Sequence, residues 1–100
     1  MKITLRDDLD AISAILNETF DTPAFKRNYD EAFGKIAEIL YRYDVVENAR
    51  NLRFQFILCM QEFFDGIPQD QWRIKDHAFV KQSEDFAKAK FCEWIIEQII

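Results

Sequence analysis

Four stretches of this chain repeat apolar residues at intervals of three and four, and helix start or stop signals separate them. That pattern most constrains the fold, because 3.6-residue periodicity places the apolar side chains on one face of a helix. The first stretch carries Leu5, Leu9, Ile12, Leu16 and Phe20. Thr4 and Asp7 have the spacing of a capping box ahead of it. Asp7, Asp8 and Asp10 fall in its first turns, where the helix dipole favours negative charge and the side chains are expected in solvent. A short strand over 2–6 is the alternative, since Ile3 and Leu5 alternate with polar residues, but no second strand is visible to pair with it.

Thr22 and Pro23 predict the start of a second helix with the stripe Phe25, Tyr29, Phe33, Ile36 and Leu40. Gly34 in its middle costs about 1 kcal/mol relative to Ala, which predicts close approach of a neighbouring helix there. Asp44 and Glu47 repeat the box spacing and predict a third helix from near Val45, with Val46, Ala49, Leu52, Phe56, Met60 and Phe63 inward. Phe54, Ile57 and Leu58 widen that face until the helix is apolar nearly all round. Such a helix is expected to be buried on most sides, so the third is expected to be the central one. Gly66 and Pro68 stop it, Gly66 in a left-handed cap. The segment 69–75 has room for a short extra helical turn. Asp76 caps a last helix carrying Phe79, Val80, Phe86, Ala87, Phe91, Trp94, Ile95 and Ile99.

Composition agrees. The chain has 100 residues with only two Gly and two Pro, too few for the tight turns of an all-β fold. Half-apolar content with ten Phe excludes disorder. The expected fold is all-α: one domain over 1–100, a compact antiparallel bundle of four main helices.

Several chemistries are excluded in turn. A formal charge of −5 lacks the basic footprint of a nucleic-acid binder. No stretch approaches the ~20 apolar residues of a membrane span. MKITLRDDL reaches acid too early for a secretory signal, so the expected compartment is the cytoplasm, where Asn17-Glu18-Thr19 is no glycosylation site and Cys59 and Cys92 pack as small hydrophobes. One His and cysteines without C-x-x-C spacing argue against zinc. Asp65 to Asp76 has the twelve-residue length of an EF-hand loop. Ile67 and Gln69 occupy its acid positions, however, and Asp70 replaces its glycine. Ser13 and Ser83 lie in helices away from any base, and adjacent carboxylates point about 100° apart on a helix rather than converging. No cofactor and no catalytic activity are expected. Lys81, Lys88 and Lys90 read as a solvated face, with Glu84 pairing to Lys88 four residues on.

What remains is an aromatic excess. In an up-down bundle the first and third connections share one end, which gathers Glu18, Phe20, Asp21, Glu62, Phe64, Asp65, Asp70 and Trp72. Aromatic anchors ringed by acids suit a basic protein partner. The plainer reading is that Phe20, Phe64 and Trp72 close the end of the core. The C-terminal WIIEQII is a second apolar candidate, as a dimer seam or a docked helix. In size, acidity and want of catalytic groups the chain is similar to small helical proteins that bind and neutralise another protein: immunity proteins, antitoxins and phage-encoded inhibitors. The likeness implies occlusion of a basic toxin or nuclease. A homodimeric assembly module and a small-molecule binder with an aromatic-lined pocket are the alternatives.

Overall fold

The computed structural model describes residues 5–100. Its elements are helices α1 (Leu5–Asp21), α2 (Tyr29–Tyr41), α3 (Ala49–Asp65) and α4 (His77–Ile99), with single 3-10 turns at Ala24–Lys26 and Gln69–Gln71. Each helix packs on its chain neighbour and α4 closes back on α1, giving a four-helix bundle with the expected all-α architecture. Thr4 and the strand alternative at 2–4 lie outside the described residues; Leu5 and Arg6 are helical.

The core forms where the four stripes meet. Ile12, Leu16 and Phe20 from α1 pack with Phe33, Ile36 and Leu40 from α2, Leu52, Phe56 and Cys59 from α3, and Ala87, Phe91 and Ile95 from α4. Phe56 is the pivot. Its ring stacks on Phe20 at 4.8 Å between centroids and meets Phe91 at 5.6 Å and Phe33 at 5.8 Å, so it touches all three other helices. Small residues at Ser83 and Ala87 are fully enclosed. The Ser83 hydroxyl donates to the Val80 carbonyl at 2.6 Å, so its burial leaves no polar group unmet.

Four local expectations are corrected. Helix α2 does not begin at Thr22–Pro23. Pro23 instead leads the 3-10 turn, Asn28 caps α2 by accepting from the Glu31 amide, and Phe25 is left 85% exposed. The Thr22 hydroxyl is engaged backwards, donating to the Glu18 carbonyl. Helix α3 begins at Ala49 under an Asn48 cap, not near Val45, because Asp44 takes a left-handed conformation (φ 60°) that breaks the path and leaves Val46 exposed. Gly66 ends α3 at φ −80°, so its cap is right-handed. The short helical turn within 69–75 is present as the 3-10 turn at Gln69–Gln71. Asp8, expected in solvent, is buried.

Gly34 has no close neighbour to explain it: a Cβ built there meets nothing within 4 Å. Gly34→Ala should therefore raise stability by about 0.5–1 kcal/mol, through helix propensity and a less flexible unfolded chain. Urea unfolding would read this as a higher midpoint at unchanged slope; a lower midpoint would mean that the site is tighter than its geometry. Phe56→Ala should cost about 3–5 kcal/mol by the same measurement.

Candidate functional site

At the end shared by the α1–α2 and α3–α4 connections, local chemistry has tied most polar groups to one another. Arg27 is the knot. Its Nη2 donates to the Phe20 carbonyl (2.9 Å) and its Nε to the Thr22 carbonyl (2.8 Å), satisfying groups that the end of α1 leaves without intrahelical partners. Its Nη1 reaches Glu84 on α4 at 3.1 Å and Tyr29 at 3.2 Å, and the guanidinium lies over the Phe20 ring. Burial alone would lower the Arg27 pKa, but the Tyr29 hydroxyl and the Glu84 carboxylate outweigh it and raise the value. Glu84 is thus committed to Arg27, and the expected Glu84–Lys88 pair is replaced by Lys88 with Asp85 (3.1 Å) and with Asn17 (2.9 Å). Lys81 bridges Asp21 and Asp85.

The eight residues expected to form an acidic–aromatic patch do not share one face. Phe20 is buried in the core. Glu18 faces the α1–α2 groove beside Lys26 and Lys35, Asp21 faces α4 through Lys81, and Glu62 lines the α3–α4 groove with Lys90. Phe64 and Trp72 do meet, edge to face at 5.1 Å. The Trp72 indole N–H, however, is shared between the Ile67 carbonyl (2.9 Å) and the Phe64 carbonyl (3.2 Å), where it closes the end of α3. Phe63, Phe79 and Phe86 extend this small cluster between α3 and α4. Asp65 and Asp70 are exposed. At the chain's C-terminus Ile95 is fully enclosed and Trp94 stacks on Phe91, which makes WIIEQII a docked helix with Ile100 outside.

The opposite end has a second knot. The Asp8 carboxylate accepts from Arg42 at 2.9 Å and from the Tyr43 hydroxyl, joining the first turn of α1 to the end of α2. That hydrogen bond, with some burial and the Asp8 charge, raises the Tyr43 phenol above its usual 10.0, while Arg42 pulls the other way.

A groove of about 580 Å³ runs between the end of α1 and the start of α4, lined in part by Phe20, Arg27, His77, Lys81 and Glu84. Its charged groups Arg27, Glu84 and Lys81 are paired within the chain. Among the described residues no buried side-chain polar atom lacks a partner, and no cluster of three or more His, Cys, Asp or Glu could hold a metal ion. Nor is any helix among them long and apolar enough to cross a membrane. Cys59 and Cys92 are both free; burial raises the Cys59 pKa.

Three exposed large apolar residues cluster on α3. Leu52, Phe56 and Cys59 face the core, and half a turn away Phe54, Ile57 and Leu58 are 61%, 51% and 44% exposed. Arg53, seated over the Tyr29 ring at 4.4 Å, marks the α2 side of this outer face; Gln55 and Glu62 mark the α4 side. Between them the outer stripe runs Arg50, Phe54, Ile57, Leu58, Gln61, Asp65. The expectation that α3 is buried on most sides is therefore overturned. In a four-helix square each helix has two neighbours, which cover about half its circumference. The polar residues Arg50, Gln61 and Asp65 within the outer stripe were the sequence signal for this.

The fold and this face together describe an all-α bundle that exposes an apolar helix surface. No protein-family model, no curated protein and no solved structure matches the chain.

The Tyr43–Asp8 bond sets a pH dependence with a defined sign. A phenol whose folded pKa is raised contributes fully below its unfolded value and loses that contribution as pH rises through the folded value. Tyr43→Phe should lower the melting temperature at pH 7, and the gap between variant and parent should close above about pH 10. A gap independent of pH would assign the loss to packing.

Proposed function

We propose that this chain is a non-catalytic helical protein-interaction module whose contact element is the outer face of α3. The observation that carries the reading is the contiguous exposure of Phe54, Ile57 and Leu58 on one helix, away from the core. An apolar patch rimmed by polar residues is the usual mark of a protein-binding surface, whereas singly scattered apolar residues carry no such meaning. The paired charges in the α1–α4 groove and the engaged Trp72 indole support placing the contact on α3 and not at the acidic end.

Neutralising a basic protein, the role of immunity proteins and antitoxins, is the narrower form of this proposal. The net charge of −5 supports it, with the apolar anchor moved to α3. The two free cysteines fit the reducing cytoplasm as the place of action.

A photo-reactive benzophenone side chain placed at Leu58 and, as a control, at the exposed Glu38 of α2 tests the reading in cells that carry the native gene. Covalent adducts from position 58 and none from position 38 are expected. No adduct from position 58 would overturn the assignment of α3 as the contact element.

A further inference from the structure

The charges on the outer face of α3 are arranged against their own helix. Arg50 stands in the first turn and Asp65 is the last residue; no acid lies in that first turn and no base in the last turn. A helix dipole favours the reverse, an acid at the start and a base at the end. Among the described residues Arg50 makes no ion pair or hydrogen bond, and the Asp65 carboxylate accepts only from the Gln61 amide, one turn back at 2.9 Å. Nothing among the described residues compensates this order.

One kind of partner does. A two-fold axis crossing the stripe between Ile57 and Leu58, perpendicular to α3, lays a second α3 antiparallel on the first. Residues equally distant from the axis then face each other. Ile57 meets the second copy's Leu58, Phe54 meets its Gln61, and Arg50 meets its Asp65. The same operation repeats each contact, so two Arg–Asp pairs close the two ends of an apolar centre, as an isologous interface requires. Antiparallel helices also set each positive end beside a negative one, so the second helix relieves the local mismatch at both termini.

We propose that the outer face of α3 is a self-complementary seam and that its occupant is a second copy of this chain, docked antiparallel about that axis. The inference rests on α3 being the contact element and names the partner for it. The stripe from Arg50 to Asp65 is about 22 Å long and one helix face wide. That places the contact near the lower end of specific interfaces, so the dimer is in exchange with monomer at micromolar concentrations.

Sedimentation equilibrium of the purified chain, from about 1 µM to about 500 µM, reads the mass. The expected result is a shift from the 12.0 kDa chain mass toward twice that value. Leu58→Glu, which sets like charges beside the axis, should raise the dissociation constant about tenfold or more while leaving the circular dichroism and melting curve unchanged. The decisive set is the charge exchange. Arg50→Asp and Asp65→Arg should each weaken the dimer, because each sets like charges opposite one another at both ends. The double variant Arg50→Asp with Asp65→Arg should recover it, because the pairing is restored with its signs exchanged. A parallel or off-centre seam gives no such recovery, and that outcome overturns the proposed geometry. A monomer at every concentration overturns self-association altogether. If that monomer still cross-links through position 58 to a different protein, a basic one included, the interaction role of α3 survives and only the identity of its partner is refuted.

Discussion

Phe56 touches a phenylalanine from each of the other three helices, and the arrangement of the bundle follows from that contact. One ring stacked on Phe20 and set edgewise to Phe33 and Phe91 fixes the separation and rotation of α3 against α1, α2 and α4 at once. Aromatic rings prefer these offset and edge-on geometries, so the cluster specifies angles as well as burying area. Once Phe56 points inward, helical geometry turns Phe54, Ile57 and Leu58 outward. The exposed face of α3 is a consequence of the same rotation that builds the core.

The polar knots sit where the apolar core ends. Arg27 closes the carbonyls at the end of α1 and reaches across to α4, and Asp8 holds the end of α2 through Arg42 and Tyr43. Both use charged or strongly polar groups in half-buried positions, where an unmet partner would be costly. Each knot also consumes groups that a binding cleft would need. The groove between α1 and α4 has the size of a ligand site, but Arg27, Glu84 and Lys81 are already matched to one another or to Asp21. Stability and an open polar site compete for the same side chains here, and the bundle spends them on itself.

The periodic stripes made the fold class and most of the core legible: Ile12, Leu16, Phe33, Ile36, Leu40, Leu52, Phe56 and Phe91 were all readable from spacing. Local starts were less so. Thr22-Pro23 carries a good helix signal, yet the chain makes a 3-10 turn there and starts α2 at Asn28, because Arg27 binds the Thr22 and Phe20 carbonyls and holds the connection in place. Asp8 was hidden for the same reason. Its partners Arg42 and Tyr43 lie more than thirty residues away, and no local rule pairs them. The acidic–aromatic end is divided, with Phe64 and Trp72 in contact and Glu18, Asp21 and Glu62 apart, because chain connectivity says which end a residue occupies and not which way it faces. Glu18, Asp21 and Glu62 share an end and look into three different grooves.

The outer face of α3 shows how two local rules, broken together, carry more than either alone. Exposed apolar residues on a small domain are common and mean little singly. A helix whose charges oppose its dipole loses only a few tenths of a kcal/mol at an exposed site. On α3 the two departures occupy one stripe, with the apolar residues at its centre and the misplaced charges at its ends. A sequence free to choose would put acid at residue 50 and base at residue 65 if that surface faced only water. The order observed would be favoured by a partner that supplies acid beside Arg50 and base beside Asp65, with apolar surface between them. An antiparallel copy of the same helix meets all three requirements with one operation, whereas a uniformly basic surface would meet Asp65 and oppose Arg50. In the seam proposed for α3, charge order favours a copy of the chain, while the net charge of −5 favours the basic partner of the narrower proposal, and the exchange of Arg50 and Asp65 distinguishes the two.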